Sequence, residues 1–500
     1  MLYKSTRGRL KDTKSADAIK MGIATDGGLF VPQKNVKIES EILSQMMNMD
    51  YSGRASAILK PFLEDYTQKE VDECINNAYN LDKFDTKDIA PVHKLSDTAY
   101  ILELWHGPTC AFKDMALQIL PHLMVKAVQK TGETKEIVIL VATSGDTGKA
   151  ALEGFKNVKG TKIIVFYPYK GVSQIQEMQM ITQEGDNVFP IAVEGNFDDA
   201  QSGVKKILTD SEFNKIMDEK GYRFSSANSI NWGRLVPQIV YYFSAYADMV
   251  KNQWLKFGEE VNVAVPTGNF GNILAAFYAM KMGLPIRKLI CASNENNVLT
   301  EFINTGVYNK NRIFKKTMSP SMDILISSNL ERLLYELTGH DSQLITKWMK
   351  QLSSEGIYKI DESIRTKINE IFWADYSSEE DTLASIKKTY DKYGYLLDTH
   401  TAVGLNVYEK YKETTKDNTK TIIASTASPF KFNTSVSRAI LEIEKIEDKN
   451  EFELLHILSD ESTMPIPASL KDLENKRIKH NKVCSKVEMK LQVEKILRIE

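Results

Sequence analysis

Ile137-Val-Ile-Leu-Val-Ala-Thr-Ser-Gly-Asp-Thr-Gly148 reads as an apolar strand running straight into a glycine-rich turn. The same grammar returns at Val261-Asn-Val-Ala-Val-Pro-Thr-Gly-Asn-Phe-Gly-Asn272, followed there by Ile273-Leu-Ala-Ala-Phe-Tyr-Ala-Met280, a good helix former. A strand, a glycine turn and a helix in that order aim backbone amides and the positive end of a helix dipole at one point, which suits an anion. Used twice, the pattern predicts an α/β protein with two open, mainly parallel sheets covered by helices.

The flanking sequence fits that reading. Apolar runs at 100–105, 162–167, 188–193, 289–292 and 421–425 predict further strands. Helical spacing is found at 113–130, 149–155 and 200–208. Residues 1–90 read as a largely helical N-terminal domain, interrupted by Gly27-Gly-Leu-Phe-Val-Pro32. The first α/β unit then spans 91–225 and the second 226–435. Between 295 and 398 almost no strand pattern is visible, which predicts a helical insertion. Residues 436–500 are charged and predicted mostly helical, with solvated faces.

At 500 residues the chain is long enough for about three domains. Its 64 Lys+Arg and 66 Asp+Glu leave a net charge of -2, so no electrostatic feature points to nucleic acid or a membrane surface. The four cysteines, Cys74, Cys110, Cys291 and Cys484, are scattered, and the seven histidines show no ligand spacing, so no metal site is expected. A cytoplasmic enzyme, monomeric or homodimeric, is the expectation.

The turn Thr143-Ser-Gly-Asp-Thr-Gly148 is not a nucleotide P-loop. Thr143 stands where the first glycine belongs, and Ala150 stands where the magnesium-binding hydroxyl belongs. Its hydroxyls still suit an anion, and Asp146, which would repel one, is expected to face away as a helix cap. Lys113, in His106-Gly-Pro-Thr-Cys-Ala-Phe-Lys-Asp114, has apolar residues on both sides, which a solvated lysine does not require. Burial there would favour the neutral amine, able to join an aldehyde and to accept protons.

Four stretches together resemble the threonine synthase family of fold type II pyridoxal 5′-phosphate enzymes, in its long fungal and proteobacterial form. They are Gly107-Pro-Thr-Cys-Ala-Phe-Lys-Asp114, Ala142-Thr-Ser-Gly-Asp-Thr-Gly148, Ser226-Ala-Asn-Ser-Ile-Asn231 and Pro266-Thr-Gly-Asn-Phe-Gly271. The resemblance runs from Lys4-Ser-Thr-Arg-Gly8 to about Phe432, and departs from the family pattern at Ser428-Pro-Phe430 and Gly233. It implies that Lys113 carries pyridoxal 5′-phosphate and that Gly268, Asn269, Phe270, Gly271 and Asn272 hold its phosphate. It further implies that Thr426 faces the pyridine nitrogen. The implied substrate is O-phospho-L-homoserine, converted with water to L-threonine and phosphate. Its phosphate would fall to Ser144, Thr147, Asn228, Asn231 and Arg234, although Arg234 reads equally well as half of a surface ion pair. Two other readings stay open: a cofactor-dependent dehydratase or phospholyase, and a catalytically inert relative that only binds.

Overall fold

The computed structural model describes residues 1–499. Two parallel sheets dominate it. One has six strands in the order Phe372–Tyr376, Ile286–Ser293, Val261–Pro266, Thr421–Ser425, Ala99–Glu103 and Val92–Lys94, all parallel except the last. The other has five, in the order Val483–Ser485, Val188–Glu194, Thr161–Pro168, Glu136–Ala142 and Tyr222–Ser225, all parallel. The central strands are continuous apolar runs because helices cover both faces. Ile137 to Val141 and Val263 to Val265 are wholly buried.

Helix Trp232–Lys251 is the spine between these parts. It is buried along almost its whole length and packs on helices Gly271–Met282, Tyr51–Leu59 and Asp114–Leu117. Asn231 caps it, its side chain accepting from the Gly233 amide, and Pro237 lies inside it. Among the described residues no helix is long and apolar enough to cross a membrane.

The structure differs from the sequence-based expectation at five places. The N-terminal region has helices Ser15–Met21, Tyr51–Leu59 and Gln68–Ala78, but also an antiparallel sheet of Thr13–Lys14, Leu2–Ser5 and Phe30–Pro32. The helical run after Lys113 is broken into Asp114–Leu117 and Leu120–Lys130, with Pro121 in the first turn of the second piece. Strands Val92–Lys94 and Ala99–Glu103 lie before 225 in sequence, yet they complete the sheet of the second α/β unit. Within 295–398, Phe372–Tyr376 is an edge strand of that same sheet, and Val307–Asn309 pairs with Ile357–Lys359. Its apolar spacing merges with that of the preceding helix Glu362–Ile371, which hides the change of period. Finally, Val483–Ser485 in the charged C-terminal segment joins the edge of the five-stranded sheet beside Val188–Glu194.

One close approach fixes how the lysine-bearing segment sits. Gly154, in helix Asp146–Phe155, lies so near the short helix after Lys113 that a Cβ there would stand 2.0 Å from the Leu117 carbonyl oxygen. Gly154→Ala is therefore expected to destabilise the protein by about 1–3 kcal/mol through overpacking. A urea unfolding midpoint equal to the wild type would contradict this contact.

Candidate active site

Strand Ala99–Glu103 delivers the chain into the loop that carries Lys113. The segment that follows strand Thr421–Ser425 of the six-stranded sheet holds that loop. The Phe112 amide donates to the Thr426 carbonyl at 2.8 Å, and the Ser428 amide donates to the Cys110 carbonyl at 3.0 Å. Asp114 holds it from below, accepting from the Thr109 amide and hydroxyl, each at 2.8 Å. Burial raises the Asp114 carboxyl to about 6 against the pull of those two donors.

Lys113 is 7% exposed. Its Nζ lies 3.3 Å from Asp146 Oδ2, 3.1 Å from Ser321 Oγ and 5.0 Å from the centre of the Phe112 ring. Burial pushes its pKa below the ordinary lysine value. Asp146 opposes this, while Lys431 and Arg234 reinforce it. The apolar context of Lys113 in the sequence thus corresponds to real burial.

Asp146 is not the cap expected of it. Gly145 occupies the N-cap position, and Asp146 is the first helical residue, turned into the protein. It pairs with Lys431 at 2.6 Å and Lys113 at 3.3 Å, and accepts from Gln176 Nε2 at 3.0 Å and Ser321 Oγ at 3.2 Å. Burial would raise its carboxyl, but Lys431 and Lys113 outweigh burial and hold it well below the usual carboxylate range. In the same turn the Thr143 hydroxyl is already used, accepting from the Gly145 and Gly148 amides at 3.0 and 2.9 Å. The half-buried hydroxyls of Ser144 and Thr147 have no hydrogen-bond partner among the described residues and remain available.

The second turn is built as an anion cradle. Phe270 adopts a left-handed φ of 61° and leads into helix Gly271–Met282. Among the described residues none of the amides of Gly268, Asn269, Phe270, Gly271 and Asn272 donates a hydrogen bond. Their carbonyls are held instead: Ser327 Oγ donates to Gly268 at 2.8 Å, and Asn329 Nδ2 donates to Asn269 at 3.0 Å. The Asn272 side-chain oxygen accepts from Tyr241 and Tyr242, while its Nδ2 is buried without a partner. Thr426, 5% exposed, presents a hydroxyl that makes no hydrogen bond among the described residues.

Two of the residues expected to grip a second phosphate fare differently. Asn231 is spent on structure: its Oδ1 accepts from the Gly233 amide, and its Nδ2 donates to the carbonyls of Ile19 and Ser226. No group is left for a ligand, so its assignment as a substrate contact is corrected. Arg234 is no surface residue. It is 3% exposed, pairs with no carboxylate among the described residues and donates only to the Ala227 carbonyl at 2.7 Å. Its Nε is buried without a partner, and burial lowers the guanidinium to about 10. Asn228 is half-buried, with a side chain that pairs with nothing among the described residues.

Three contributors escaped the sequence. Lys431 sits in Phe430-Lys-Phe432, an apolar context like that of Lys113, and that signal was there to be read. Ser321 comes from the insertion, and its amide donates to His400 Nε2 at 3.1 Å. His400 Nδ1 lies 2.9 Å from Asp398 Oδ1, which places the ring proton on Nδ1. Neither position has a local sequence signal. A buried amine flanked by two glycine turns and an unpaired guanidinium can hold an aldehyde bearing one anionic group beside a second anion.

Three family profiles match the chain: "Threonine synthase N terminus" over residues 2–79, "Pyridoxal-phosphate dependent enzyme" over 88–359 and "Threonine synthase, C-terminal" over 401–493. Threonine synthase-like 1 of Homo sapiens is 42% identical over 460 residues, covering 90% of this chain and 61% of that protein. The chain thus spans about three fifths of that relative's length. Threonine synthase of Saccharomyces cerevisiae is 38% identical over 467 residues, covering 88% of this chain and 89% of that one. The crystal structure of pyridoxal-phosphate-bound threonine synthase from Brucella melitensis superposes with a TM-score of 0.87 at 35% identity, covering 100% of this chain and 99% of that one.

The residues present fit pyridoxal phosphate. Five free amides at a helix N-terminus suit its phosphate, Lys113 its aldehyde, and the unpartnered Thr426 hydroxyl a ring nitrogen. Space is tight at Gly268, where a Cβ would stand 2.6 Å from the Ser321 carbonyl oxygen. Gly268→Ala should displace the Ser321 turn and weaken cofactor retention by roughly tenfold or more, for an overpacking cost of about 1–3 kcal/mol. Equilibrium dialysis against pyridoxal phosphate measures it, and unchanged affinity would count against the cradle.

Proposed function

The chain belongs to the threonine synthase family of pyridoxal-phosphate-dependent enzymes, and from that premise we propose that it converts O-phospho-L-homoserine and water to L-threonine and inorganic phosphate. The observation that carries this reading is Arg234, a buried guanidinium without a carboxylate partner among the described residues, whose charge acts on Lys113. A dehydratase acting on an uncharged hydroxy amino acid has no use for a cation buried at such cost. A substrate that carries its own phosphate does.

Pyridoxal phosphate, when bound, supplies an electron sink for charge that develops next to the substrate amine. The rest falls to the side chains. Gly268 to Asn272 would hold the cofactor phosphate through their amides, and the Thr426 hydroxyl would serve the ring nitrogen without a full charge. Lys113, pushed toward its neutral form by burial and by the neighbouring Lys431 and Arg234, is the base that takes the substrate Cα proton. Ser321 and Asp146 orient its Nζ. Arg234 grips the substrate phosphate, with Ser144, Thr147 and Asn228 completing the grip. Asn231 contributes at one remove by capping the helix that carries Arg234. A Cβ proton is lost as the phosphate departs from Cγ, Cγ takes up a proton to become the methyl group, the hydroxyl of water adds at Cβ, and Cα regains its proton.

A second reading rests on the likeness to threonine synthase-like 1 as well as to threonine synthases: this chain binds the cofactor without making threonine, or releases phosphate by a different elimination. Measuring phosphate and threonine together from phosphohomoserine separates the two. Equal amounts of both support the synthase, phosphate without threonine supports a phospholyase, and neither product supports a binding protein.

Lys113→Ala is expected to abolish both the visible absorbance of the bound cofactor and turnover; activity retained in that variant would remove Lys113 from its role. Arg234→Ala should keep the cofactor spectrum and raise KM for phosphohomoserine by on the order of 50-fold, corresponding to the loss of about 2–3 kcal/mol of charge-assisted hydrogen bonding. A KM within twofold of wild type would sink the phosphate assignment.

A further inference from the structure

Lys431 is 1% exposed, and the reaction outlined above does not use it. It follows strand Thr421–Ser425 in the turn Pro429–Phe432. Its Nζ lies 2.6 Å from Asp146 Oδ1 and donates to the Thr109 carbonyl at 3.0 Å. The other oxygen of Asp146, Oδ2, faces Lys113 at 3.3 Å and Ser321 Oγ at 3.2 Å. One carboxylate thus divides its two oxygens between two buried lysines, and the shorter contact goes to the lysine with no assigned chemistry.

We propose that Lys431 is a positioning residue: it holds Asp146 ionised and in place from the far side, so that Lys113 can lose its positive charge without leaving a buried carboxylate unpaired. The assignment rests on the cofactor reading for Lys113 but not on the identity of the substrate.

The physical argument is one of charge accounting inside a dry site. A buried carboxylate needs a partner, because its solvation is lost and only a nearby cation or donors replace it. With Lys113 as the sole cation, Asp146 would hold that lysine protonated and oppose both its attachment to an aldehyde and its use as a base. With Lys431 locked on Oδ1, the carboxylate stays matched whether or not Lys113 is charged. Lys431 in turn repels a proton on Lys113. The charged groups around Lys113 are Asp146 at the start of helix Asp146–Phe155, Lys431, and Arg234 on helix Trp232–Lys251, with the neutral Ser321 hydroxyl opposite. His400, on helix Thr399–Thr415, also acts on Asp146. The Lys431 contact with Thr109 adds a second tie, since Thr109 also donates to Asp114 in the loop that presents Lys113.

The sign follows directly. Lys431 lowers the proton affinity of the Lys113 nitrogen and Asp146 raises it. Removing Lys431 must therefore move the titration of that nitrogen to higher pH, and removing Asp146 must move it lower.

The test is a spectrophotometric pH titration of the full-length, pyridoxal-phosphate-loaded protein without substrate, following the visible band that reports protonation of the nitrogen joining Lys113 to the cofactor. Lys431→Met should raise the midpoint by about one pH unit or more, the usual size of a neighbouring-charge effect. Lys431→Arg keeps the charge and should leave the midpoint near wild type. Adding Asp146→Asn to Lys431→Met removes the pair as a neutral unit and should bring the midpoint back down, in a background that carries no orphaned buried charge. A midpoint in Lys431→Met at or below wild type would overturn the assignment, as would a lowered Tm with an unmoved midpoint. Failure of the double variant to lower the midpoint would overturn it too. A wild-type protein with no visible band would remove the cofactor and this role together. A normal titration in a protein that makes no threonine would leave this role intact and strike only the synthase reading.

Discussion

Keeping one lysine amine reactive inside a protein is the constraint around which this molecule is arranged. An ammonium group there loses its water, and each nearby cation makes the charge harder to keep. Lys113 is placed under both pressures, enclosed by the Phe112 ring and by Ser321, with Lys431 and Arg234 near enough to be felt. Asp146 pairs with Lys113 and Lys431, while Arg234 has no carboxylate partner among the described residues. The imbalance is tolerable only if anions arrive from outside, and the free amides at 268–272 and the unpaired Arg234 are where they would be received.

The scaffold that holds this arrangement draws on nearly every part of the chain. Arg332, fully buried, donates to the Phe30 carbonyl at 2.9 Å, to the Ile230 carbonyl at 2.7 Å and to Asn329 Oδ1 at 2.5 Å. One side chain of the insertion thereby joins the N-terminal sheet, the segment before the spine helix, and the residue that fixes Asn269. All three acceptors are neutral, and burial lowers the guanidinium to about 10. The same insertion sends Ser321 to Lys113, in a turn backed by His400 of the following helix and by Asp398. It is therefore part of the site wall, not a decoration on the second α/β unit.

What could be read in the sequence was local. Both glycine turns, the strands that precede them and the apolar setting of Lys113 are visible because each depends on a few consecutive residues. Asp146 was misplaced because capping is the common use of an aspartate at a helix start, and only the fold reveals two lysines beside it. Asn231 looked like a ligand group for a similar reason: its partners, Ile19 and Ser226, include one from a distant part of the chain. Strand Phe372–Tyr376 was lost because a helix runs directly into it without a breaker, so period 3.6 passes to period 2 with no glycine or proline between them. Ser321 lies in the insertion and His400 on the helix that follows it, and neither a sequence motif nor spacing marks either one.

The outer strand of the five-stranded sheet, Val483–Ser485, leaves the ribosome long after its neighbour Val188–Glu194. Until that later segment is made, the neighbour must present an open row of amides and carbonyls, a template on which stray chains can stack. The late residues thus act as a latch closed from the C-terminal side. Nascent or prematurely stopped chains would carry the exposed edge with them, which makes them the species most in need of a chaperone and most prone to aggregate.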